Sequence, residues 1–284
     1  MKVDISILQT GQTRIRQSMK TQTADRSVFL RRLRALTDRT WTEWLPIYTF
    51  LISHPEGYVL FDAGESSHVN DWGYFPLWMP TFRLMSETHI EDNEGIGTQL
   101  RERGLGPEDL KAVVISHLHH DHSGGLPDLV GAPVYVSEEH WGRYKNPIKA
   151  TIEGAVPSQW PQGFCPKILQ PTGGPIGPWE HSYPITSDGK IIAVDTPGHT
   201  PGHVSLIVFG DNITYFLTGD ASYSKDLLDQ EVTDGINDNP LLAIESVKKI
   251  KAFARQQPLV LLPSHDERAP GWLAESILYK PMQL

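Results

Sequence analysis

Four short apolar runs, far apart along the chain, each end in side chains that bind metals. Ala112-Val113-Val114-Ile115 leads into Ser116-His117-Leu118-His119-His120-Asp121-His122-Ser123-Gly124-Gly125. Ile191-Ile192-Ala193-Val194 leads into Asp195-Thr196-Pro197-Gly198-His199-Thr200-Pro201-Gly202-His203. Ile213 to Leu217 precedes Thr218-Gly219-Asp220, and Leu259 to Leu262 precedes Pro263-Ser264-His265. Apolar, β-branched runs of this length read as buried strands. A site needing donors from all four must draw their ends together, which predicts paired sheets with the site along one edge.

The donor types narrow the chemistry. Neutral imidazole with carboxylate suits zinc, iron, cobalt or manganese better than calcium. Alternate side chains of an extended segment share a face, so His117 and His119 point the same way. Gly124 and Gly125 allow a tight turn, which lets Asp121 and His122 diverge towards a second ion. Asp220 has two oxygens and suits a bridging position. A solvated turn with Asp121 as a helix cap would account for the first run, but not for all four.

The order His-x-His-x-Asp-His, glycine-flanked His, Gly-Asp and late His resembles the metallo-β-lactamase superfamily from Asp62 to His265. Asp220-Ala221-Ser222-Tyr223 is similar to its N-acyl-homoserine lactonase subgroup, which carries a catalytic tyrosine three residues after the bridging aspartate. Leu45-Pro46-Ile47-Tyr48 and Asn239-Pro240 also match that subgroup's order. The resemblance implies an αββα sandwich. It also implies two divalent transition-metal ions, zinc above the others: His117, His119 and His199 on one, Asp121, His122 and His265 on the other, Asp220 between. Asp62, in Phe61-Asp62-Ala63-Gly64, would orient a ligand. His120 and His203 match positions that do not ligate.

Such a pair of ions supplies hydroxide near neutral pH and polarises an ester or lactone carbonyl. The phenol of Tyr223 would stabilise the charged intermediate, and Asp121 or a water would protonate the leaving alkoxide. The expected reaction is opening of N-acyl-homoserine lactones. Hydrolysis of another lactone, an aryl ester or an organophosphate at the same site is the alternative, and a metal-binding module without catalysis comes from a different class. A class B β-lactamase is disfavoured because Asp220 stands where those enzymes place cysteine. Glyoxalase II-like thioester hydrolysis is disfavoured by the short segment after His265.

Composition sets outer bounds. With 25 basic against 34 acidic residues the net charge is −9, which disfavours nucleic acid and strongly anionic substrates. The single cysteine, Cys165, cannot form an internal disulfide. The N-terminus, Met1-Lys2-Val3-Asp4-Ile5-Ser6, lacks an apolar core of signal-peptide length and no run is long enough to span a membrane, so a cytoplasmic enzyme without membrane partners is expected. Convergence of the donors favours a single domain over residues 1–284.

Local signals fill in the frame. His54-Pro55-Glu56-Gly57 marks a hairpin, and Gly95 to Arg103 a helix stopped by Gly104. Val134-Tyr135-Val136 reads as a strand before a helix capped at Ser137. Asn239 and Pro240 open a long helix whose expected buried stripe is Leu241, Ile244, Val247 and Ile250, with Lys248, Lys249 and Lys251 in solvent. Residues 12–44 are largely polar and basic and receive no function. Residues 65–90 are rich in aromatic and apolar side chains, broken by Gly73, Pro76 and Pro80. They read as core cover, an apolar lid over the metals, or a homodimer contact.

Overall fold

The computed structural model describes residues 4–282 and divides into two compact units. One comprises Asp4–Ile15 and Trp41–Ile168, and the other comprises Arg16–Thr40 and the chain from Leu169 onward.

The first unit is built on a seven-stranded sheet. In chain order its strands are β1 (Asp4–Ile15), β2 (Leu45–Ser53), β3 (Tyr58–Phe61), β4 (Ser86–His89), β5 (Leu110–Val114), β6 (Val134–Val136) and β7 (Lys167–Ile168). They lie in the order β4-β1-β2-β3-β5-β6-β7. The hairpin at residues 54–57 joins β2 antiparallel to β3, and β3 pairs parallel with β5. Because β3 and β5 run the same way, Asp62 and the histidine-rich run leave the same edge of the sheet. Leu60, Val113 and Val136 pack with Ile96 and Leu100 of the helix Ile96–Glu102 and with Tyr144 of the helix Glu138–Tyr144. Ser137 caps that second helix by accepting from the His140 backbone N–H.

The second unit carries a five-stranded sheet made of β8 (Tyr183–Pro184), β9 (Ile191–Asp195), β10 (Val204–Phe209), β11 (Thr214–Leu217) and β12 (Leu259–Leu262). The order is β12-β11-β10-β9-β8. β9 and β11 are each antiparallel to β10, and β12 is parallel to β11. The C-terminal ends of β9, β11 and β12 therefore share one edge, where His199, Asp220 and His265 follow. Strands buried on both faces read as continuous apolar runs, as Leu259–Leu262 does.

The helix Pro240–Ala254 connects β11 to β12 and is capped by the Asn239 side chain, as expected. Its buried stripe differs from expectation. Leu241 is 66% exposed, while Pro240, Ala243, Val247, Ile250 and Ala254 are buried. Those positions follow the three- and four-residue steps of one helical face, and Leu241 lies one step of about 100° off it. Lys251 is also buried rather than solvated. Its stem lies along the covered face, and its Nζ donates to the Asp229 carbonyl (3.0 Å) and to Glu231 Oε1 (2.8 Å).

Residues 65–90 do not form one kind of surface. Val69, Tyr74, Phe75, Phe82 and Val156 make a small buried cluster, with Phe75 stacked on Phe82 at 4.7 Å. Trp72, Leu77, Trp78 and Leu84 stay exposed. Among the described residues no helix is long and apolar enough to cross a membrane.

Candidate metal centre

In the first unit one buried carboxylate organises the histidine-rich run. Asp62 follows β3 with a φ of 63°, in the left-handed region, and its N–H donates to the Val114 carbonyl at 2.9 Å. Its Oδ1 accepts from the Ser116 N–H at 2.7 Å. Its Oδ2 accepts from the Ser116 hydroxyl at 2.9 Å and from His122 Nδ1 at 2.8 Å. An ionised carboxylate only accepts, so neutral His122 carries its hydrogen on Nδ1 and keeps a lone pair on Nε2. The Ser116 hydrogen is committed to Asp62, so its oxygen accepts from His117 Nδ1, 3.0 Å away. His117 is thereby fixed in the same tautomer. Asp62 thus orients the ring of His122, and through Ser116 that of His117.

The surroundings hold the run in place. The Leu118 N–H donates to His140 Nε2 at 2.8 Å, and the His140 ring stacks on Tyr144 at 4.1 Å. The ring of His117 lies 4.4 Å from that of His119 and 4.3 Å from that of His122. His117 and His119 offer ligand atoms within 4.8 Å of each other, and so do Asp121 and His122. His120 turns elsewhere: its Nδ1 meets Glu65 Oε2 at 2.6 Å, and its ring packs edge-on against Phe75 and Phe82. Burial pushes the His120 pKa down, but the Glu65 carboxylate outweighs it and the net direction is up.

The second unit presents a donor set of its own. Asp220 sits in the tight turn Gly219–Ala221 after β11, with each carboxylate oxygen close to an imidazole. Oδ2 lies 3.4 Å from His199 Nε2 and Oδ1 lies 3.1 Å from His265 Nε2. His199 Nδ1 donates to Asp234 Oδ2 at 3.0 Å, which leaves its Nε2 lone pair facing Asp220. Gly198 sets the loop before it: φ is 135°, and a Cβ there would fall 2.3 Å from the Ala243 backbone. The Tyr223 ring stands edge-on to both imidazoles, 5.9 Å from His199 and 5.3 Å from His265 between centroids.

His203 is excluded as a ligand by its hydrogen bonds. Its Nε2 accepts from the Asp220 N–H at 3.0 Å, so Nδ1 donates to Thr196 Oγ1 at 2.9 Å. Thr196 then donates to Ser205 Oγ (2.8 Å), and Ser205 to the Thr218 carbonyl (2.9 Å).

Every ligand-type side chain expected from the sequence thus lies in one of two donor sets: His117, His119, Asp121 and His122 in one unit, His199, Asp220 and His265 in the other. Sequence reasoning missed Ser116, His140, Glu65 and Asp234 as supports. Ser116 was visible beside His117, whereas Asp234 sits in Thr233-Asp234-Gly235, attached to no apolar run. Imidazole Nε2 lone pairs beside carboxylate oxygens, with several Nδ1 atoms tied to oxygen acceptors, fit a divalent transition metal better than calcium. A separate cleft of about 510 Å³ in the first unit is bordered by Ser66, His68, Asp71, Trp72, Asp128 and Gln159. Its lining mixes these polar side chains with Trp72, Tyr74 and Pro127.

A family model described as the metallo-beta-lactamase superfamily matches residues 42–265. The chain belongs to this superfamily. Curated relatives include the N-acyl homoserine lactonase AttM of Rhizobium radiobacter, 27% identical over 237 residues, covering 79% of this chain and 83% of the relative. An N-acyl homoserine lactonase of a Bacillus species is 29% identical over 224 residues, covering 78% and 82%. Among solved structures, an N-acyl homoserine lactone hydrolase with N-hexanoyl-L-homoserine at its catalytic metal centre superposes with a TM-score of 0.71. It is 24% identical, over 95% of this chain and 96% of that one. These likenesses give the chain the metallo-beta-lactamase fold, with its αββα arrangement.

Proposed function

We propose that this member of the superfamily is a metal-dependent lactone hydrolase that opens the ring of N-acyl-homoserine lactones, a quorum-quenching activity. In this reading His117, His119 and His199 hold one divalent ion and Asp121, His122 and His265 the other, zinc above other metals, with Asp220 shared. A single domain over residues 1–284 belongs to the same reading. The observation that carries the reading is Asp220, whose two oxygens face the Nε2 atoms of two different histidines. The named relatives supply the substrate class.

Divalent ions in such a set acidify water and polarise a carbonyl oxygen. The chain's own residues do the rest. Tyr223, edge-on to His199 and His265, directs its phenol at the oxygen that gains charge when water adds to the lactone carbonyl. The ring C–O bond then breaks. Asp121 takes a proton from the attacking water and passes it to the departing alkoxide, giving a hydroxyl and an acyl-homoserine acid that releases the second proton as it ionises to the carboxylate. Asp62 and Asp234 keep the ligating imidazoles in the correct tautomer throughout.

Elemental analysis should find close to two equivalents of transition metal per chain, and Asp220→Ala should abolish most activity. Tyr223→Phe should keep the metal and lower kcat on the order of a hundredfold, the usual cost of one such donor. A panel of acyl lactones, aryl esters and phosphotriesters identifies the substrate. A higher kcat/KM for esters or phosphotriesters would overturn the lactone assignment in favour of the alternative hydrolase.

A further inference from the structure

Residues 16–40 carry no donor set and no motif, yet Arg31, within the helix Val28–Thr37, is completely buried. A buried guanidinium is costly unless its hydrogens find acceptors. Those of Arg31 converge largely on one loop. Its Nη2 donates to the Asp234 carbonyl, to Asn237 Oδ1 at 2.8 Å and to Thr233 Oγ1 at 3.4 Å, while Nη1 donates to the Thr23 carbonyl at 2.7 Å. The Asn237 amide passes the contact on. Its Nδ2 donates at 2.9 Å to Asp234 Oδ2, the oxygen that also accepts from His199 Nδ1. Asp234 Oδ1 accepts from the Ile236 N–H at 3.0 Å, so both oxygens are fixed.

The loop is also seated from below. The Gly235 N–H donates to the Met19 carbonyl at 2.7 Å, and Gln22 Nε2 donates to the Gly235 carbonyl at 3.3 Å. A Cβ on Gly235 would fall 1.7 Å from the Ser18 carbonyl oxygen, so only glycine lets the loop lie this close. From above, the Asp238 N–H donates to the His199 carbonyl at 3.0 Å. The loop is held between the N-terminal helical segment and the histidine it orients.

We infer that Arg31 is a positioning residue for His199, acting through Asn237 and Asp234 to keep the hydrogen on Nδ1 and the lone pair on Nε2. The inference rests on the reading of His199 as a metal donor. Without the guanidinium, Asp234 loses the anchor of its carbonyl and of Asn237. Its carboxylate can then rotate, and His199 can adopt the tautomer whose Nε2 carries hydrogen and binds no metal.

The test uses the full chain, stripped of metal and titrated with Zn²⁺ against a chromophoric chelator, alongside thermal melts of the same samples. Arg31→Lys and Asn237→Ala should each weaken one Zn²⁺ position by about 10- to 100-fold, the usual cost of losing a group that orients a ligand. Arg31→Lys should add no further loss in an Asp234→Asn background, because the effect travels through Asp234. Lys251→Met, which removes another buried cation of the same unit, should lower the melting temperature and leave Zn²⁺ affinity unchanged. His199→Ala should lose one position altogether. If it does, while Arg31→Lys and Asn237→Ala melt earlier but bind Zn²⁺ like the parent, Arg31 is structural only and the inference is overturned. If His199→Ala retains both ions, the metal reading of His199 falls, and the inference with it.

Discussion

A single carboxylate oxygen, Asp62 Oδ2, receives both the Ser116 hydroxyl and His122 Nδ1, and the same serine oxygen receives His117 Nδ1. Replacing Asp62 by asparagine would substitute an amide, free to present either a donor or an acceptor, for a group that can only accept. Both histidines would then lose their fixed tautomer. We expect Asp62→Asn to weaken Zn²⁺ binding by about 10- to 100-fold, with an unaltered far-ultraviolet circular dichroism spectrum. Parental affinity in the folded variant would show that ring orientation is set by packing alone. The ligand-type side chains were legible in the sequence because each follows an apolar run. Their supports were less so: Asp234 and Asp62 reach their histidines from 35 and 60 residues away. Local spacing carries no record of such pairs.

Among the elements, strands were the most legible, since runs such as Leu259–Leu262 contain nothing else. The helix Pro240–Ala254 was recognised by its cap, but its face was misjudged at Leu241 and Lys251, because a lysine stem covers apolar surface as well as a leucine does. The 65–90 segment was ambiguous for a related reason. Composition cannot tell which aromatics go inward. Phe82 lies within the buried cluster beside His120, whereas Trp78 is 57% exposed. Phe82→Ala should therefore cost about 3–5 kcal/mol of stability, read by denaturant unfolding. Trp78→Ala should leave stability unchanged. If Trp78 forms an acyl wall, its truncation should raise KM most for long-chain lactones with no change in sedimentation. If it is a homodimer contact, the sedimentation profile shifts instead and all chain lengths suffer alike.

At the scale of the whole molecule, stability towards acid should depend on carboxylates buried away from the donor sets. Asp229 accepts from Lys225 Nζ at 2.6 Å and from the Tyr279 hydroxyl at 2.7 Å. Burial pushes its pKa up, but these partners outweigh it and hold the carboxyl below the ordinary value of 3.8. A group with a depressed folded pKa stabilises fully above its unfolded pKa and loses that contribution as pH falls through the folded one. Asp229→Asn should therefore melt earlier than the parent at neutral pH, and the difference should shrink below about pH 4, where unfolded carboxylates take up protons. A gap that stays constant down to pH 2 would assign the loss to packing.

The hydrogen-bond chain through His203 leaves the Asp220 backbone and returns to the Thr218 carbonyl, two residues earlier in the same turn. Each hydroxyl and ring nitrogen along it has its direction set by the next, so no single member can reverse alone. The turn is thus held through its main chain by a path that does not pass through the side chain at position 220. Anchorage and chemistry are carried by different atoms of one residue. A lineage can exchange the group that acts at this position while the turn that presents it stays put, so the site is open to new reactivity at little structural risk.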